Sequence, residues 1–310
     1  MSRLAPIALA LTLAVAMVLG CASPDDDAAA LDGLLLLSGE VGRTSLVVHD
    51  APDPEGRAIA LPDPGTAWVA AGRGNVLLAT TIDGRTFISA PLGDGDPSWR
   101  LVEPRLAPRG ESPDGPLYFG SWDPAGGVYA MLAADLAAAA GLRILVVDPS
   151  LEDGASEIPI DRAPAPAAPS WIDDDRVIVL VDDGEARRAV LLDTPTGDLA
   201  DGPRGSRLVT TSGDGRMLAH WMGAGAPIEI LTTDDWLAER SSTIRLDPPA
   251  GTTAPAVVAL DRTGTRIAIV WTDADGAPRE VAVHVAAADW RPVASVSLED
   301  VSVASVNWLR

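Results

Sequence analysis

An all-β chain closed into a ring, a six-bladed β-propeller, is what this sequence predicts, and three observations carry the prediction. Short apolar runs rich in Val, Ile, Leu, Ala and Trp alternate with Asp/Gly/Pro/Thr turns, which is the pattern of antiparallel hairpins rather than strand–helix–strand units. A unit of four such runs recurs at nearly constant spacing, as in repeat architectures. The residues from Val301 to Arg310 (VSVASVNWLR) read as one more strand with no hairpin partner after it, so its backbone donors and acceptors must be paired elsewhere.

In chain order, Leu34 to Leu37, Thr44 to Val48 and Arg57 to Leu61 read as three strands. Ala67 to Pro104 supplies AWVAA, NVLLATT, RTFISAPL and SWRLVE; Tyr118 to Ile160 supplies YFGSW, VYAMLA, LRILVVD and SEIPI. Pro169 to Leu199 supplies SWI, RVIVLV and RRAVLLD with a poorly marked fourth strand, and Arg207 to Leu246 supplies LVTTS, RMLAHWM, PIEILTTDDW and STIRL. The clearest unit, Ala256 to Leu298, reads VVALD, RIAIVW, REVAVHV and VASVSL.

The sixth unit is split, with the terminal VASVNW as its first strand and the three strands from the start of the chain completing it. An unclosed array would leave a sheet face exposed and an edge unpaired. Equivalent first-strand positions are Trp68, Trp122, Trp171, Thr211, Leu260 and Trp308, with spacings by subtraction of 54, 49, 40, 49 and 48, a near-constancy that favours a ring over a sandwich. Five or seven blades are the alternatives if the third or second unit divides differently. Pro159 suits an outermost strand, where no ladder N–H is needed, and Asp50, Asp148 and Asp193 at strand ends suit carboxylates that accept turn N–H groups.

Ahead of the ring, Arg3 and the apolar run Leu4 to Leu19 have the make-up of a secretory signal. The tetrapeptide Val18-Leu19-Gly20-Cys21 resembles the lipobox of bacterial lipoproteins, in which the cysteine is acylated and becomes the new N-terminus. An ordinary cleaved signal and an uncleaved anchor are the alternatives. Cys21 is the one cysteine of the chain, so no disulfide competes for it, and two or three acyl chains at about 0.8 kcal/mol per methylene anchor stably. The expected organisation is therefore signal peptide 1–20, lipidated tether 21–31 and propeller 32–310, outside the cytoplasmic membrane of a bacterium.

Composition narrows the function classes. The chain is 47% hydrophobic and 22% charged, enough for a buried core, and its net charge of −21 repels phosphate polymers and anionic headgroups. Nucleic acid is not an expected partner, and the expected membrane contact is through lipid. No lysine occurs, which excludes a P-loop and lysine-dependent catalysis.

The repeat pattern resembles the WD-like propellers of bacterial envelope proteins, including that of the Tol-Pal system, over residues 32 to 310. The strict Trp-Asp and Gly-His signatures of WD repeats are absent. The resemblance implies a propeller that binds or scaffolds at the envelope, and the fold itself licenses no activity.

Candidate chemistry is sparse. No GxSxG elbow is present, and His49, His220 and His284 lie in strands without ligand-spaced neighbours, as structural histidines do. Asp83, Asp182, Asp183, Asp273 and Asp275 fall between second and third strands, which share one face of a propeller; oxygen ligands there would suit Ca2+ or a cationic partner. The alternative is that they are solvated turn residues. Asp273-Ala-Asp275-Gly276 lacks the downstream glutamate of an EF-hand.

The segments Ala133 to Gly141, with helix-favouring alanines, Arg105 to Pro116 and Asp161 to Pro169 are long enough to recognise a partner. Trp68, Trp122, Trp171 and Trp308 read as blade-packing residues, and Trp236 and Trp290 as exposed on the opposite face, where a sugar could stack. The expected function is a binding or scaffolding module. A calcium-dependent, lactonase-like hydrolase is the alternative, requiring three or more carboxylate or amide groups on the axis, with Asn307 and the acidic turns as candidates; a purely structural assembly role is the third.

Overall fold

The computed structural model describes residues 29–39, 44–50, 53–81, 85–102, 117–125, 128–134, 142–147, 155–160, 163–164, 167–182, 187–298 and 303–309. Cys21 and the segment 105–116 lie outside them, as do Asp83, Asp148, Asp183 and most of the alanine-rich stretch after Ala134.

The described strands form antiparallel meanders. Strands β1 (Leu34–Ser38), β2 (Ser45–Asp50) and β3 (Asp53–Ile59) are consecutive neighbours. The next sheet is β4 (Thr66–Ala71), β5 (Leu77–Thr81), β6 (Thr86–Ser89) and β7 (Trp99–Val102). It is followed by β8 (Leu117–Trp122), β9 (Tyr129–Ala134), β10 (Leu142–Val147) and β11 (Ala155–Ile160).

The third unit departs from the pattern. Two short strands, β12 (Ala163–Pro164) and β13 (Ser170–Trp171), both pair along one edge of β14 (Arg176–Asp182), ahead of β15 (Arg187–Asp193) and β16 (Leu199–Arg204). The connection expected to be loop from Asp161 to Pro169 is thus partly strand, and the innermost strand is interrupted by a proline- and alanine-rich stretch that cannot supply a continuous donor ladder. The poorly marked fourth strand is β16, whose Gly202 and Pro203 are tolerated at an outer edge with a bulge.

The chain continues through β17 (Leu208–Thr211), β18 (Met217–Trp221), β19 (Ile228–Thr232), helix α1 (Thr233–Leu237) and β20 (Ile244–Leu246). The next meander is β21 (Ala254–Leu260), β22 (Arg266–Thr272), β23 (Pro278–Val285) and β24 (Pro292–Ser297). Finally β25 (Val303–Trp308) pairs antiparallel with β1, Leu34 opposite Trp308 and Leu36 opposite Val306, and completes the sheet begun by β1, β2 and β3. Five of the sheets are four-stranded; the one over residues 163–204 has five strands through its split inner edge.

The innermost strands touch in a closed cycle, β25 to β4, β4 to β8, β8 to β13, β13 to β17, β17 to β21, and β21 back to β25. The fold is an all-β propeller. Its core lies between neighbouring sheets: Leu36, Val270, Val283, Val306 and Trp308 fill one gap, and Leu35, Leu46, Val69 and Leu77 another. At about 25 cal/mol per Å2 of apolar surface removed from water, such gaps supply the main stabilising term. No described helix is long and apolar enough to cross a membrane.

Trp236 corrects the sequence reading. It is 2% exposed and packs with Ile178, Leu218 and Leu231. The cause is local: Thr232 caps α1 by accepting the Asp235 N–H at 3.1 Å, and the resulting turn swings the indole inward. Trp290 is half-buried against the core of its sheet rather than freely exposed.

Candidate functional site

Innermost strands of different sheets do not share a backbone ladder in this fold, so the ring must be tied in another way. Side chains do most of it. Asn307 Nδ2 donates to the Val69 carbonyl at 2.7 Å, Trp68 Nε1 to Gly120 at 2.9 Å, and Ser121 Oγ to Pro169 at 2.6 Å. Trp171 Nε1 donates back to Ser121 at 3.0 Å, and Ser170 Oγ to Val209 at 3.2 Å. Backbone N–H groups of Gly213 and Asp214 donate to Asp261 and Arg262, at 3.2 and 2.8 Å.

The last junction carries Trp308 Nε1 donating to Ala259 at 3.0 Å and Arg266 Nη1 donating to Asp32 at 2.7 Å, with the Arg266 guanidinium 4.4 Å from the Trp308 ring centroid. Each junction of the cycle therefore has at least one hydrogen bond to a backbone carbonyl. The regularly placed tryptophans are packing residues, as expected, and Trp68, Trp171 and Trp308 also act as donors across the junctions.

Inside this cycle is an axial cavity of about 420 Å3. Residues from β4, β8, β13, β17, β21 and β25 wall it, with indoles of Trp68, Trp171 and Trp308 beside the hydroxyls of Ser170 and Thr210. A cavity of this size accepts a drug-sized body. Asn307 lines it, with Nδ2 engaged by the Val69 carbonyl.

Two arginines, Arg187 at the start of β15 and Arg207 just before β17, line the mouth where the innermost strands begin. Arg262 lines the cavity after the end of β21, toward the other mouth. Among the described lining residues none is a carboxylate.

The acidic turn residues are placed differently. Asp182 ends β14 and is exposed, and Asp275 is exposed in the turn after β22. Asp273 is engaged by its own turn: Oδ1 accepts the N–H groups of Asp275 and Ala277, both at 2.9 Å, and Oδ2 accepts Arg279 Nε at 2.8 Å. The Ala277 N–H foremost, with Arg279, holds its carboxyl below the usual carboxylate range. The structure does not bring Asp182, Asp273 and Asp275 into the cavity lining, and among the described residues no three His, Cys, Asp or Glu side chains are grouped to hold a metal.

The histidines are away from the axis as well. His49 is buried in β2. His220 Nε2 lies 3.4 Å from Glu229 Oε2, Glu229 Oε1 lies 3.1 Å from Arg245 Nε, and Ser206 Oγ lies 3.4 Å from His220 Nδ1. Burial pushes the His220 pKa down against the pull of Glu229. Ser206 is 1% exposed, which leaves it unable to meet a substrate. Missed from the sequence were Arg187 and Arg207; their one visible signal is their position at strand starts on the same face.

No protein-family profile and no curated protein matches the chain. Solved structures do. TolB from Acinetobacter baumannii aligns at a TM-score of 0.63 with 14% identity, over 89% of this chain and 66% of that one, so the chain spans just under two thirds of that protein. The nidogen/laminin complex aligns at 0.58 with 13% identity, over 89% of this chain and 98% of that one. A periplasmic gluconolactonase from Pseudomonas aeruginosa aligns at 0.53 with 13% identity, over 86% and 84%. The likeness is one of fold. At these identities a propeller's activity does not transfer.

Proposed function

We propose that this chain is a binding module of the bacterial cell envelope, a six-bladed ring held by lipid on Cys21 at the extracytoplasmic side of a membrane, with its ligand or the tip of a partner taken in the axial channel. The observation that carries the reading is the cavity of about 420 Å3 walled by innermost strands from every sheet of the cycle. The closed cycle of six sheets supports the blade count. The apolar run ending in Gly20-Cys21 supports the anchor, and propellers named TolB and periplasmic gluconolactonase among the structural neighbours agree with that address.

A metal-dependent hydrolase on this scaffold needs several carboxylate or amide oxygens converging on the axis. Asn307 is the one such side chain among the described lining residues, so binding is favoured over hydrolysis. The channel is tested by thermal shift with neutral, cationic and anionic small molecules on the unaltered protein and on Thr210→Trp, which fills the channel. Stabilisation by some class, lost in Thr210→Trp, is expected; stabilisation by none removes the channel reading. For the anchor, incorporation of a palmitate analogue should be lost in Cys21→Ser, with the protein moving from the membrane pellet to the supernatant.

A further inference from the structure

The charge of the channel runs against the charge of the chain. Acidic residues outnumber basic ones by 44 to 23, yet the charged side chains among the described lining residues are Arg187, Arg207 and Arg262. Five arginines away from the channel are matched with carboxylates: Arg176 with Asp173, Arg240 with Asp235, Arg245 with Glu229, Arg266 with Asp261 and Arg279 with Asp273. The guanidinium of Arg207 has no ion-pair or hydrogen-bond partner among the described residues.

The mouth is also built. Arg187 Nη1 donates to the Arg207 carbonyl at 3.2 Å, which brings the two residues together across a sheet junction. The Arg207 side chain lies over Gly223, where a Cβ would come 3.2 Å from Nε; the glycine leaves the arginine its room. Arg207 donates its backbone N–H to the Trp221 carbonyl at 2.7 Å, and the Trp221 indole, fixed by Nε1 donating to Ala226 at 3.1 Å, forms the adjoining wall with Leu208 and Pro169. A pair of guanidinium forks next to an aromatic wall suits a planar anion with an apolar body.

We propose that this mouth binds small organic carboxylic acids, the carboxylate held by Arg187 and Arg207 and the apolar body lying against Trp221 inside the channel. This rests on the reading of the channel as a binding site and adds the class of ligand. A single carboxylate is favoured over a polyanion because the surrounding molecule is strongly negative, and each further charge on the ligand is repelled by that field.

The test is titration calorimetry with the full chain and three probes of one shape: indole-3-acetate, its neutral amide indole-3-acetamide, and the cation tryptamine. Indole-3-acetate is expected to bind at least tenfold more tightly than either of the others at low salt. Its affinity should fall at least tenfold in the Arg187→Gln/Arg207→Gln double variant. A salt titration on the unaltered protein reads the same charge contact without substitution, and affinity should weaken steadily as salt rises.

Equal binding of the amide, tighter binding of tryptamine, or salt-independent binding of the acid would overturn the proposal. If the amide or amine binds and Thr210→Trp abolishes that binding, the channel reading survives while the carboxylate assignment is lost. If none of the three binds, both are lost.

Discussion

Buried between two neighbouring sheets with Trp68, Ala70, Leu78 and Trp122, the phenol of Tyr129 is fully enclosed and its hydroxyl has no hydrogen-bond partner among the described residues. The ring packs edge-on to Trp122 with centroids 5.3 Å apart, and desolvation pushes its pKa up, beyond any working pH. A buried hydroxyl without a partner is destabilising, so Tyr129→Phe should raise stability by about 1 kcal/mol in denaturant titration. A loss of stability would show that the hydroxyl is satisfied after all. Gly120 is explained by the same ring, which occupies the space a Cβ would need.

His284 is another residue with a cost attached. Its Nδ1 lies 2.9 Å from the Trp290 carbonyl, and its buried Nε2 has no hydrogen-bond partner among the described residues. Burial pushes its pKa below the usual value, and the Trp290 carbonyl only partly opposes this. The unfolded chain takes up the proton near pH 6.5, where the folded chain does not. Stability contributed by the neutral ring is thus complete above that value and is lost as pH falls below it. Replacing His284 by Leu should flatten the decline in unfolding free energy between about pH 7 and about pH 5; an unchanged slope would assign the decline to His220 or to the carboxylates.

At the scale of the element, the sheets were largely legible. Alternating apolar runs ending in Asp or Gly turns gave the strands of the Ala256 to Leu298 unit, and Asp193 does accept the Thr196 N–H, at 2.9 Å, as its strand-end position implied. The split inner edge at Ala163–Pro164 and Ser170–Trp171 was not legible, because two-residue pieces carry no periodicity to detect. Helix α1 was missed although Thr232 and Asp235 have capping spacing, since PIEILTTDDW reads as one continuous strand segment. The indole donors were legible as packing residues only, because their acceptors lie in other sheets. For Trp171→Phe, which orphans the Ser121 carbonyl across a junction and leaves a small void, a loss of about 2 kcal/mol is expected in thermal or chemical unfolding. A loss below a few tenths would mean the junction hydrogen bonds contribute little.

Over the whole molecule, the recurrence of Trp68, Trp122, Trp171 and Trp308 made the ring readable, and the pairing of β25 with β1 is where the unpartnered terminal strand was expected to go. The channel mouth was not readable. Arg187 and Arg207 belong to different sheets and meet only once the cycle is arranged, so no local pattern joins them. Ending the chain at Leu298 removes β25 with its contacts to β1, β4 and β21. Scanning calorimetry of that truncation should show no sharp transition, and a sharp transition near the original temperature would refute closure as the lock on the fold.

The pairing of β1 with β25 also bears on how the protein is made. Translation delivers Leu34–Ser38 long before Val303–Trp308, so over that interval one flank of β1 waits with its amide groups unmatched. Contacts this distant along the chain form slowly, and a waiting flank is open to capture by a strand from another copy. Until β25 emerges, that flank has to stay clear of foreign strands for the ring to close on its own chain.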